Sequence, residues 1–92
     1  MAKVLIKVDV AWPDDFRKTF EAQARDRAKR GERSFSTGVD DEQRNFIYAI
    51  LDWESVASAQ RFWKSSEAKS QMSEWRSVFT PEIVVLRESP GD

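Results

Sequence analysis

Residues Asn45 to Trp53 read NFIYAILDW, a run that puts bulky apolar side chains on both sides of any strand it forms. Successive side chains of a strand point to opposite faces. Phe46, Tyr48 and Ile50 therefore share one face, and Ile47, Ala49, Leu51 and Trp53 share the other. A strand apolar on both sides must be covered on both sides.

The flanking segments supply one layer of cover. Lys3 to Val10 alternates Val4, Ile6, Val8 and Val10 with Lys3, Leu5, Lys7 and Asp9, the period of two of a strand. Trp12-Pro13 stops it, and Pro13 suits the first turn of a helix. Asp14 and Asp15 suit the positive end of the helix dipole. Phe16, Phe20, Ala24 and Ala28 form an apolar stripe, Glu21 and Asp26 stand one turn ahead of Arg25 and Arg30, and Gly31 is a natural stop. One continuous helix from Pro13 to Arg30 is predicted.

Arg33 to Val39 is expected to be a strand, joined to Asn45–Trp53 by the polar link Asp40-Asp41-Glu42-Gln43, short enough for a hairpin. Ser55 can cap a second helix whose stripe is Val56, Ala59 and Trp63, with Phe62 beside it. Ser65-Ser66 interrupts. A further helix is predicted to carry Ala68, Met72, Trp75 and Phe79 on one face until Thr80-Pro81 ends it. Ile83 to Leu86 is the last strand, and Ser89-Pro90-Gly91-Asp92 a polar tail.

The order β-α-β-β-α-β predicts an α+β fold: a four-stranded antiparallel sheet with helices on one face. The 92 residues are expected to make one domain, residues 1–92. A chain of this size buries roughly two-thirds of its unfolded surface, and association commonly adds stability to so thin a core. The uncovered face, apolar in Asn45–Trp53 and again in the last strand, predicts a second copy packed against it with two-fold symmetry.

Composition removes several chemistries. The chain has no His and no Cys. That excludes a catalytic triad, a His general base, a proximal haem His, a thiol nucleophile and a zinc-thiolate site. No cofactor and no metal are expected. The net charge of −1 offers no field for nucleic acid or an anionic membrane. The N-terminal residues are too charged for a signal segment and no apolar run approaches a membrane span, so a cytoplasmic location is expected.

The element order, the length and the run YAILDWESVASAQRFWKSSEAKSQM resemble the dimeric α+β barrel superfamily, and within it the antibiotic-biosynthesis-monooxygenase-like (ABM-like) domains, over nearly the whole chain. The carriers are a strand ending in Trp and an acidic residue, Trp53-Glu54, then a helix rich in small residues and a serine-containing break at Ser65-Ser66. The resemblance implies a ferredoxin-like dimer whose sheets pack into a barrel, with a pocket between helices and sheet in each subunit. The members include cofactor-independent oxygenases, haem-degrading enzymes, cyclases and proteins of no known activity. Many of them place a His where Phe62 stands, and haem-degrading members place the iron-ligating His where Ser73 stands. Those departures argue against haem degradation and against a His-assisted oxygenase or cyclase.

Tyr48, Trp53, Phe62, Trp63, Lys7 and Asp9 are the candidate pocket residues. The Trp and Phe side chains could receive a flat apolar or aromatic molecule, or serve as core; Trp75 is expected in the core, and Trp12 at the start of the first helix. Tyr48 could donate to a ligand oxygen or be a satisfied core tyrosine. Lys7 and Asp9 share one face of the first strand, as a polar patch in the pocket or as an ion pair at the dimer seam with Arg87 or Glu88. The cluster Arg25, Arg27, Lys29, Arg30 and Arg33 is explained by dipole complementarity and interleaved acids better than by anion binding. Asp40-Asp41-Glu42 is read as a solvated turn. The segment Arg44 to Tyr48 faintly echoes an RNA-binding strand, but Leu5 stands where a stacking aromatic would be needed. Two functions remain open: a cofactor-independent monooxygenase or cyclase acting on a small apolar or aromatic molecule, and a non-enzymatic homodimeric interaction or ligand-sensing module.

Overall fold

The structure, a computed structural model, describes residues 2–87. The expected tail and Glu88 lie outside these residues. The elements are β1 (Ala2–Asp9), α1 (Pro13–Ala22), α2 (Ala24–Arg30), β2 (Glu32–Val39), β3 (Phe46–Trp53), α3 (Val56–Trp63), α4 (Ser66–Ser73) and β4 (Glu82–Arg87). The strands form one antiparallel sheet in the order β2-β3-β1-β4, the ferredoxin-like arrangement, with β3 and β1 in the middle.

The parity of the strands holds as expected. Val4, Ile6 and Val8 of β1 and Ile47, Ala49, Leu51 and Trp53 of β3 point to the helices and are buried, while Tyr48 and Ile50 face the open side. In β4, Ile83 and Val85 lean on the core while Val84 and Leu86 are exposed. The ladder sets open-face residues side by side. Ile50, Leu5 and Val84 form an apolar row across β3, β1 and β4. Charged rows flank it, Tyr48–Lys7–Glu82 on one side and Asp52–Lys3–Leu86 on the other.

The first helix departs from expectation in two ways. It is broken at Gln23, which leaves the two segments α1 and α2. Its buried stripe is Phe16, Phe20, Gln23 and Arg27, not Phe16, Phe20, Ala24 and Ala28. At about 100° per residue, Gln23 and Arg27 fall within about 20° of Phe16, whereas Ala24 and Ala28 drift to about 80° and 120°. Gln23 is retained inside because its amide is used at both ends: Nε2 donates to the Gln71 carbonyl at 3.0 Å, and Oε1 accepts from Trp75 Nε1 at 2.8 Å.

The last helix is also shorter than predicted. α4 ends at Ser73, well before Thr80-Pro81. Trp75 still turns into the core, 2% exposed, but Phe79 lies outside any helix with 70% of its surface exposed. Arg76, at φ 54, takes the chain out of helical geometry, and Val78 then donates its N–H to the Asp9 carbonyl at 2.7 Å.

Among the described residues no helix is long and apolar enough to cross a membrane.

Candidate functional site

The β3–α3 junction builds an aromatic wall. Trp53, the last residue of β3, points inward and is fully buried. Ser55 then caps α3, its Oγ accepting from Ser58 N–H at 3.1 Å, which satisfies one of the helix's orphan N–H donors. With the start fixed, Ala59, Phe62 and Trp63 face the sheet. Ser65 caps α4 in the same way, accepting from Ala68 N–H at 3.2 Å. The Ser65-Ser66 break noticed in the sequence is therefore a second helix start.

The rings meet in a chain. Trp53 stacks on Phe62 at 5.5 Å between centroids, Phe62 meets Trp63 edge-on at 4.9 Å, and Trp63 lies 6.0 Å from Trp53 and 6.4 Å from Trp75. Phe16 and Phe20 extend it beyond Trp75 at 5.4 and 5.7 Å. The indole N–H of Trp75 is satisfied by Gln23, but those of Trp53 and Trp63 are buried with no acceptor among the described residues, and the side-chain oxygen of Gln71 is buried with no donor among them. A cleft of about 410 Å³ opens between the end of α2, α3 and the start of α4, with Phe62, Glu54, Ser58 and Arg61 in its lining.

The sheet divides the six candidate residues into two groups. Trp53, Phe62 and Trp63 lie together on the helix side. Lys7, Asp9 and Tyr48 lie on the open side. Tyr48 is not a core tyrosine in the single chain: 40% of its surface is exposed. Lys7 Nζ stands over the rings of Phe46 and Tyr48, 4.9 and 6.0 Å from their centroids. No ion pair joins Lys7 or Asp9 to another described residue. The two groups cannot line one pocket within a single chain.

Two features escaped the sequence. Arg27, placed there in a basic cluster explained by dipole complementarity, is fully buried and paired with Glu32. Its spacing from Phe16 and Phe20 was the available signal. Asp40 is more than a solvated residue of the link. Its Oδ1 accepts from the backbone N–H groups of Glu42 and Gln43 at 2.9 and 3.0 Å, which lowers its pKa and shapes the β2–β3 turn.

No family model matches this sequence, and no curated protein matches it. Solved structures do, over nearly the whole chain, and they define the class: this is the fold of the ABM-like proteins. An antibiotic-biosynthesis-monooxygenase-like protein from Bordetella bronchiseptica superposes with a TM-score of 0.76 at 18% identity, covering 96% of both chains. SnoaB, a cofactor-independent oxygenase from Streptomyces nogalater, superposes at 0.75 with 16% identity, covering 99% of this chain and 97% of its own. A conserved protein from Methanosarcina mazei Go1 gives 0.72 at 16% identity, over 96% and 92%.

Proposed function

We propose that this chain is a single-domain, cytoplasmic, ABM-like protein that works as a homodimer and binds a small apolar or aromatic molecule against the Trp53–Phe62–Trp63 wall. The observation that carries the ligand is the Trp63 indole. It is 7% exposed, its N–H has no acceptor among the described residues, and it is surrounded by Trp53, Phe62 and Trp75. A flat molecule with an oxygen on its edge would gain ring contacts and satisfy that donor, the usual economy of a small-molecule site. The dimer is supported by the open face of the sheet, where Tyr48, Ile50, Val84 and Leu86 are each at least 40% exposed. In a dimer, Lys7, Asp9 and Tyr48 lie at the seam between the two sheets.

The fold shared with a cofactor-independent oxygenase supports a catalytic form of this reading. The substrate, as a phenolate or enolate, would itself supply electrons to dioxygen, and the protein would supply a dry aromatic wall. Phe62, standing where related domains place a His, favours the second form, a ligand-sensing dimer without turnover.

Native mass spectrometry tests both halves. Two chains carrying a retained or saturably added polycyclic phenol are expected; a monomer at micromolar concentration, or a dimer that takes up no such molecule, overturns the corresponding half. Oxygen consumption with dihydroxylated polycyclic phenols and no added cofactor separates the catalytic form from the sensing form.

A further inference from the structure

A second cleft, of about 440 Å³, lies at the far end of the aromatic chain, between α1 and the segment that follows α4. Its size is within the range of small-molecule sites. Phe16 and Trp75, 1% and 2% exposed and edge-on to each other at 5.4 Å, form its inner wall. The hydrogen bond from Trp75 to Gln23 fixes that wall in place. Trp12 closes the outer side, and it is unlike the other tryptophans: 62% of its surface meets solvent. It sits at the N-cap of α1 without a side-chain capping bond, so neither packing nor capping accounts for its position.

The rim carries four charges. Asp15 and Lys18 come from α1, and Glu74 and Arg76 from the opposite side. None of the four makes an ion pair or a side-chain hydrogen bond with any described residue. Arg76 is also held at φ 54, a left-handed conformation that is unfavourable for a residue with a side chain. Such positions concentrate where a side chain is aimed at a ligand. Two cations and two anions around an aromatic slot repel a ligand of either single sign from half of the rim. A molecule bearing both signs meets a partner on each side.

We propose that this cleft binds a small aromatic ampholyte, a flat ring carrying an ammonium and a carboxylate, with the ring between Trp12 and Trp75 and the carboxylate toward Arg76 and Lys18. A free aromatic amino acid is the simplest molecule of that class. Its lining adjoins the Trp63 wall at Trp75 but includes none of Trp53, Phe62 or Trp63, so the proposal stands or falls independently of the function proposed above.

Three unlabelled probes that share one ring test it: L-tryptophan (both charges), tryptamine (cation) and indole-3-acetate (anion), titrated into the ¹⁵N-labelled protein while the indole N–H resonances are followed. L-Tryptophan is expected to shift the Trp12 and Trp75 resonances saturably, and to bind about tenfold tighter than either single-charge probe, the worth of about one charged contact. Trp12→Ala, at an exposed position, is expected to abolish that binding. Arg76→Gly suits the positive φ and removes the guanidinium. It is expected to weaken L-tryptophan and indole-3-acetate at least about tenfold while leaving tryptamine unchanged. No saturable shift at millimolar probe, equal affinity for the three probes, or shifts that persist in Trp12→Ala would overturn the proposal.

Discussion

The guanidinium of Arg27 and the carboxylate of Glu32 meet inside the protein, Nε to Oε1 at 2.7 Å, with 0% and 3% of their side chains exposed. Arg27 Nη1 donates to the Phe20 carbonyl at 2.9 Å, and the guanidinium lies 3.8 Å from the centre of the Phe20 ring and 5.2 Å from that of Phe35. Nη2 has no acceptor among the described residues. Burial lowers the Arg27 pKa and raises that of Glu32, so desolvation outweighs the attraction between them. Arg27→Met strands a buried carboxylate and is expected to cost about 3–5 kcal/mol, whereas the double variant Arg27→Met, Glu32→Leu returns most of that loss. Urea denaturation of both single variants and the double checks it; a double variant no more stable than Arg27→Met alone would show that the ion pair stabilises the fold better than apolar replacements.

The same pair has a pH signature. A carboxyl whose folded pKa is raised contributes stability that is fully present below its unfolded value and lost as pH rises through the raised one. Asp52 has the opposite sign. Its hydrogen bonds from Lys3 and Ser34 lower its pKa, so its contribution is present above the ordinary range and lost as pH falls through the lowered value; being exposed, it is small. The melting-temperature advantage of the wild type over Glu32→Gln should therefore shrink as pH rises above the ordinary carboxylate range of about 4. That over Asp52→Asn should shrink toward acid. Thermal melts of the three proteins from acid to alkaline pH measure both trends.

Gly31 joins the two ends of this region. It stops α2 at φ 128, and its carbonyl accepts from Glu54 N–H at 2.9 Å, which ties the α2–β2 turn to the β3–α3 turn. A Cβ there would lie 2.7 Å from Trp53 Nε1 and 3.0 Å from Ser58 Oγ, both on buried side chains. Gly31→Ala is expected to cost about 1–3 kcal/mol from crowding and unfavourable φ together. Gly38, on edge strand β2, has nothing within 4 Å of its Cβ position, and Gly38→Ala should be neutral or slightly stabilising. Chemical denaturation of the two variants side by side separates a positional requirement from a general effect of losing glycine.

Most of the fold was legible because strand parity is a rigid rule. One shift of register would expose Val4, Ile6, Ile47 and Leu51 together, so the alternation in β1 and β3 fixed the inward set. Helix faces are less constrained. Alanine fits a surface as well as a core, so Ala24 and Ala28 drew the first helix's stripe away from Gln23 and Arg27, whose burial depends on distant partners: Gln71, Trp75 and Glu32. Phe79 was misplaced for a related reason. The spacing Met72–Trp75–Phe79 is helical, but the left-handed turn at Arg76 is not written in residue types, since arginine rarely takes it. Strand parity already put Tyr48 and Trp53 on opposite faces of β3, and only the assembled layers showed which of the two faces the helices cover.

The open face yields the last prediction. Its apolar centre is one row wide, Ile50–Leu5–Val84, with Lys7 and Glu82 to one side and Lys3 and Asp52 to the other. A two-fold partner that covers this face must bring its own apolar row to the same place, because an offset of one row would set charges against Ile50 and Val84. Ile50 and Val84 are 45% and 48% exposed in the single chain, so a lysine at either is tolerated by the isolated fold and not by a dry interface. Ile50→Lys and Val84→Lys are therefore expected to elute as monomers under conditions where the wild type elutes as a dimer, with far-UV circular dichroism unchanged. Light scattering coupled to size exclusion gives the masses. A lysine variant that stays dimeric would place the interface off this face, and loss of the circular dichroism signal along with the dimer would show that the chain does not fold without its partner.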